Sequence, residues 1–128
     1  MQLHSYRDLH VWRASLTLVE DVYTISMHFP KTELFGLTQQ IRKAVVSVPS
    51  NIAEGQARQT TKEFLRFLCI ARASLAELDT QLILASRLQY AGISEIDIVL
   101  QSVGRIGRMI RGLERTLHQR NARPTPSH

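Results

Sequence analysis

The sequence has one cysteine in 128 residues. A single thiol excludes an internal disulfide framework and a multi-cysteine metal site. Glycine and proline are scarce, six and four, too few for a collagen-like or low-complexity chain. Aromatic residues make up only 6%. No apolar run approaches the roughly 18 residues of a membrane span, so no membrane partner is expected. Residues Met1 to Asp8 contain no apolar stretch of the kind a signal peptide needs. These absences predict a soluble, reduced, cytoplasmic protein. What is present is ordinary for one packed domain, with 44% hydrophobic and 21% charged residues.

Acidic residues are missing from one part of the chain. Residues 1–100 hold ten Lys and Arg against ten Asp and Glu. Residues 101–128 hold Arg105, Arg108, Arg111, Arg115, Arg120 and Arg123 against Glu114 alone. The net charge of +5 therefore resides in the last 28 residues. Arginine without lysine suits planar, bidentate contacts to phosphate or carboxylate. A solvated helix face with cations near its C-terminus would look the same.

Apolar spacing predicts four helices and no strands. The first spans about Asp8 to Phe29, with Leu9, Trp12, Leu16, Val19 and Tyr23 as its inward seam and Pro30 as its stop. The second opens at Thr32 as N-cap. Its seam is Leu34, Leu37, Ile41, Val45, Val48 and Ile52, fading near Gly55. The third opens at Thr60, with Glu63 at capping-box spacing. Phe64, Leu68, Ala71, Leu75, Leu78 and Leu82 form its seam, and Gly92 takes the C′ position. The fourth opens at Ser94 with Asp97, seamed by Ile96, Val99, Val103, Ile106, Ile110, Leu113 and Leu117. Short connections make neighbours antiparallel. The expected architecture is an all-α, up-down-up-down four-helix bundle over residues 1–120, followed by a flexible tail, 121–128.

The first helix carries a second apolar stripe. Val11, Leu18, Val22, Ile25 and Phe29 cluster about 130° from the first, at roughly 100° per residue. The third helix repeats this more weakly with Cys69, Ala73, Ala76, Thr80 and Ile83. A lone bundle of this size does not cover two stripes, and an exposed one would be a large apolar patch. Self-association is the expected remedy, with Val11, Leu18, Val22 and Ile25 in or beside a subunit contact.

Chemistry-bearing clusters are few. None of the five histidines has ligand-type spacing to another His, Asp or Glu on a shared inward face. Cys69, between Leu68 and Ile70, reads as a small buried filler. No phosphate loop or nucleophile motif occurs. The sequence therefore indicates no enzyme, no cofactor and no metal. Gly104, Gly107 and Gly112 lie inside a helix and read as close-approach positions. Residues 47–55 are the oddest stretch. Pro49 falls inside an apolar seam that keeps phase, which predicts one helix kinked there rather than two helices and a loop. Ser47, Ser50 and Asn51 are placed to satisfy the freed backbone groups. Asn51 and Glu54 share a flank; they form either a polar site or part of a structural kink, and the structural reading is preferred.

Several strings also resemble a known family. Tyr6-Arg-Asp-Leu-His-Val-Trp12, Phe35-Gly-Leu-Thr-Gln-Gln-Ile-Arg-Lys-Ala44, Val48-Pro-Ser-Asn-Ile-Ala-Glu-Gly55, Thr61-Lys-Glu-Phe-Leu-Arg-Phe67 and Ala73 to Leu82 resemble the 23S rRNA intervening-sequence proteins. The resemblance covers about residues 6–90 and departs at Gln56-Ala57. It implies a four-helix bundle assembled as a ring-shaped homopentamer. It also implies kinship with accessory proteins of diversity-generating retroelements, whose basic surface engages nucleic acid and a reverse transcriptase. It carries over no catalytic residue. Two functions are expected as alternatives. One is binding of structured RNA through Arg105, Arg108, Arg111 and Arg115, which fall within about 120° opposite the helix seam. The other is a structural or adaptor ring that binds a protein partner, such as a nucleic-acid-processing protein.

Overall fold

Four helices account for most of residues 5–122, the part of the chain that the computed structural model describes. They are α1 (His10–Ser26), α2 (Leu37–Ala57), α3 (Thr61–Arg87) and α4 (Ile93–Ala122), with short 3-10 turns at Tyr6–Asp8 and Lys31–Glu33. The described residues contain no strand. Because α4 reaches Ala122, the bundle extends two residues beyond the expected boundary; the rest of the expected tail, 123–128, lies outside the described residues.

Helix ends differ from the spacing-based expectation wherever a side chain or a loop intervenes. α1 stops at Ser26 rather than Phe29. Phe29 precedes Pro30 and is driven out of helical geometry; its ring packs on Tyr90, centroids 5.7 Å apart. α2 begins at Leu37, and Thr32 lies in the preceding 3-10 turn. Gly36 stands at the N-cap, and Glu33 of the turn supplies the capping bond, its Oε1 accepting the backbone N–H of Leu37 at 3.2 Å, a carboxylate at the positive end of a helix. α3 opens as expected, with Thr60 Oγ1 accepting from Glu63 N–H at 3.2 Å. It ends four residues early. Gln89, not Gly92, takes the left-handed position, φ 61°. The Tyr90 N–H bonds the Ala85 carbonyl at 2.9 Å and the Gln89 N–H bonds the Ser86 carbonyl at 3.0 Å, which is a Schellman closure. Tyr90 OH also donates to Glu33 Oε2 at 2.8 Å, so packing of Tyr90 holds a turn that glycine would otherwise favour.

Contacts along α2 and α3 run in opposite order. Glu33 meets Tyr90, Ser47 meets Ser74 and Gly55 meets Phe67. α3 and α4 behave likewise, Arg72 lying against Glu114 and Leu75 facing Gly107. α1 packs on α2 and α4, and among the described residues the helix backbones approach their neighbours in a closed cycle and not across the diagonal. α2 is a single helix with Pro49 buried inside it. Proline removes one N–H, so the Val45 carbonyl lacks its helical donor there.

The tight approach between α2 and α3 is at Gly55. A Cβ there would stand 2.7 Å from Phe67 Cβ and 3.3 Å from the Phe64 carbonyl oxygen. The α4 glycines are not close approaches, which corrects the reading of their spacing. Added Cβ atoms at Gly104, Gly107 and Gly112 would meet nothing nearer than 3.4, 4.0 and 3.8 Å.

The second stripe of α1, not the first, forms most of its buried face, although Leu9 of the first stripe is also buried. Val11, Leu18, Val22 and Ile25 lie in the core of the single chain and are unavailable for a subunit contact. In the other stripe, Leu16 and Tyr23 are exposed and Trp12 and Val19 half-buried. Helix periodicity locates two apolar sectors but not the roll of the helix between its neighbours. The roll buries Ser15 and Ser26, whose hydroxyls bond the Trp12 and Tyr23 carbonyls at 2.6 and 3.2 Å. On α3 the expected seam is inside, and Cys69, Ala73, Ala76, Thr80 and Ile83 are exposed. Cys69 is therefore not a core filler.

Two stability outcomes follow. Gly55→Ala should cost about 1–3 kcal/mol by forcing α2 and α3 apart, measured by urea unfolding. Val22→Glu should unfold the chain rather than merely dissociate it, since an unpaired buried charge costs several kcal/mol; loss of helical circular dichroism is the readout.

Candidate nucleic-acid interface

The arginine row of α4 is set by the helix seam. Ile96, Val99, Val103, Ile106, Ile110 and Leu117 are buried. At 3.6 residues per turn this turns Arg105, Arg108, Arg111 and Arg115 outward, and all four are exposed. Among the described residues none of them lies within ion-pair distance of a carboxylate. The neighbouring acid is engaged elsewhere: Glu114 Oε1 lies 2.7 Å from Arg72 Nε of α3. The Nε–H is not aimed at that oxygen, so the contact is an ion pair rather than an aligned hydrogen bond. It neutralises the single glutamate of the segment and leaves the outward row uniformly positive.

A shallow cleft of about 710 Å³ opens along this row, lined by Asp97, Gln101, Gly104, Arg105 and Arg108 among others. Gly104 leaves the space. Arg108 Nη1 lies 3.4 Å from the point a Cβ would occupy, so its guanidinium folds across the gap beside Arg105. Two planar donors at one rim can grip a phosphate oxygen pair. Asp97 closes the other end with negative charge, which limits the anion-attracting row to residues beyond it.

The polar residues around Pro49 do not form a second site. Asn51 Nδ2 donates to the Ser47 carbonyl at 2.7 Å and to Ser47 Oγ at 2.8 Å. Ser47 Oγ in turn pairs with Ser74 Oγ of α3 at 2.8 Å. The ladder joins α2 to α3 and does not reach the Val45 carbonyl freed by Pro49; Ser50 is exposed. Glu54 is separate from Asn51. It binds Arg58 at 2.9 Å on the surface, and this bond and charge hold the Arg58 guanidinium above its ordinary range. At the start of α3, Arg66 binds Glu63 at 2.8 Å and holds that carboxyl below the usual range. Both arginines stack on Phe67, at 5.2 and 4.4 Å from its centroid. These cations are occupied in a way that the α4 row is not.

Spacing missed one surface. Between α1 and α2 lies an apolar groove of about 490 Å³, lined by Tyr23, Leu34, Phe35, Arg42, Lys43 and Val46 with others. The signal was Phe35, which falls out of phase with the Leu34–Leu37–Ile41 seam. No cluster of three metal-binding side chains occurs among the described residues, and no described helix is long and apolar enough to cross a membrane.

Residues 7–112 match the 23S rRNA-intervening sequence protein family. The chain belongs to that family. A solved structure of this fold is a protein of unknown function from the S23 ribosomal protein family of Bacteroides thetaiotaomicron VPI-5482. It is 20% identical, superposes with a TM-score of 0.76, and the match covers 81% of this chain and 97% of the other. At that identity the likeness concerns the fold. None of the curated proteins matches the chain. Within this intervening-sequence protein the Asn51–Ser47–Ser74 ladder belongs to the Val48–Gly55 string and its packing. Asn51→Ala should cost about 1 kcal/mol in urea unfolding. Asn51→Asp should cost more, because a carboxylate cannot donate to the Ser47 carbonyl.

Proposed function

We propose that this protein is a non-enzymatic, self-associating bundle that binds structured RNA through the outward face of α4. The observation that carries the reading is the row Arg105, Arg108, Arg111 and Arg115, exposed and without an intramolecular counter-charge among the described residues. Four cations spaced along one helix track phosphates without reading bases. The row contains no aromatic side chain, so base stacking has no platform on it. Five copies in a ring, the assembly implied by the family resemblance, would present the row five times and add weak contacts by avidity. The exposed apolar residues of α1 and α3 support self-association.

The α1–α2 groove favours a second reading, an adaptor ring that docks a protein partner such as a nucleic-acid-processing enzyme. Binding of labelled ribosomal RNA fragments across a salt series separates the two. Affinity should fall steeply with salt if phosphate contacts dominate. The quadruple variant with Arg105, Arg108, Arg111 and Arg115 all replaced by Gln should bind every fragment more weakly and flatten the salt slope by up to about four contacts. Unchanged binding by that variant would reduce the row to a solvated face. Absence of RNA binding even at low salt would favour the adaptor.

A further inference from the structure

We propose that the cleft at the head of the arginine row seats one unpaired guanosine of the bound RNA, its phosphate on Arg105 and Arg108 and its base edge on Asp97. The proposal rests on the RNA-binding reading above and names the nucleotide that this surface selects.

The cleft has two ends of opposite sign. Asp97, Gln101, Gly104 and Arg108 succeed one another at steps of four, three and four residues, so they share one face of α4. That face points away from the buried Val99, Val103 and Ile106, and all four residues are exposed. Arg108 folds back until its Nη1 is 3.4 Å from the point where Gly104 would carry a Cβ. The guanidinium therefore stands level with Gly104, seven residues beyond Asp97, which is about 10 Å along the axis at 1.5 Å per residue. A nucleotide laid lengthwise has that reach from its phosphate to the far edge of its base. Ile98, 65% exposed, lines the same cleft beside Asp97 and gives a base an apolar surface.

Asp97 decides the choice of base. A carboxylate in a phosphate-binding cleft repels backbone phosphate, so the part of the RNA that meets it must offer N–H groups. Among the described residues no cation pairs with it. A carboxylate only accepts, through two oxygens. Guanine alone has two adjacent donors on its Watson–Crick edge, N1–H and the N2 amino group, which a carboxylate takes in parallel. Adenine and cytosine set a ring-nitrogen lone pair beside their amino group, and uracil flanks its single N–H with two carbonyls. Each of these would turn a lone pair towards Asp97. Gln101, one turn along the same face, has an amide to donate to the guanine O6. The edge is open only in an unpaired nucleotide, the usual target of sequence-specific RNA recognition. Arg111 and Arg115 continue the row for neighbouring phosphates. The arginines read no base, and the carboxylate at their head reads one.

The test is titration of the whole chain with RNA hairpins that share one stem and a uridine loop with a single variable position. Guanosine there should bind about tenfold tighter than adenosine, cytidine or uridine. Inosine, which lacks the N2 amino group, should fall between. Asp97→Asn should abolish the preference by weakening the guanosine hairpin alone. Arg108→Gln should weaken all four hairpins alike and keep the preference. Both side chains are exposed, so circular dichroism should match the parent; the base series needs no variant and decides the matter even if one fails to fold. Equal binding of the four hairpins, or an Asp97→Asn chain that binds all four tighter alike, would overturn this proposal and leave the RNA reading intact. GMP that binds as tightly as the guanosine hairpin would assign the cleft to free nucleotides and overturn the proposal too. No RNA binding even at low salt would overturn both.

Discussion

Gly55 has no side chain, and the rest of the bundle depends on that. Its backbone approaches Phe64 and Phe67 more closely than any Cβ would allow. The turn 58–60 joins α2 to α3 in three residues, so a tight crossing at Gly55 sets the register for both helices. From there the pair stays in step through the Ser47–Ser74 hydroxyl contact to the Glu33–Tyr90 hydrogen bond at the far end. Interhelical distance is governed by the side chains at the crossing. A larger residue at this point would be felt along the whole pair, because interiors are packed nearly as densely as organic crystals.

α1 and α4 then close the cycle against this pair. Each contributes one buried row, and each has something left over. α1 leaves Leu16 and Tyr23 in solvent, Tyr23 sharing a groove with Val46 of α2. α4 leaves two isoleucines in its opening turns and arginines beyond them. Large apolar residues exposed in clusters are unusual for a chain that stays alone.

Charge is also sorted by pairing. Arg58 and Arg66 are tied to Glu54 and Glu63 and stacked on Phe67. Arg42 is folded against Tyr23, and Arg72 is set against Glu114. Most of the cations packed on these helix walls have a local partner. The row on α4 does not, and its positive potential is therefore presented to solvent and to whatever anion approaches. Surface ion pairs of the Arg58–Glu54 kind add little stability, but they neutralise the cations at the α2–α3 end of the bundle.

Much of this was legible in residue order. The apolar periods of α2, α3 and α4 identified most of the buried residues, because a helix with one dominant apolar row has one way to face a core; Leu34, expected in the α2 seam, precedes the helix and is exposed. Thr60 with Glu63 marked a helix start that depends only on local geometry. The imbalance of arginine over acid in residues 101–128 needs no fold to be counted. The 3.6-residue period then turned those arginines away from the seam. Tertiary structure alone decided the roll of α1, since two apolar rows are equivalent until α2 and α4 choose between them. It decided that Glu33 rather than Thr32 caps α2, and that Gln89 rather than Gly92 reverses the chain, because Tyr90 ties both ends together. It decided that Gly55 is the close approach and that the glycines of α4 are not. It brought Tyr23, Phe35 and Val46 into one groove from three places in the chain. Periodicity reports how residues are arranged around one helix axis, and these outcomes depend on where a second axis lies.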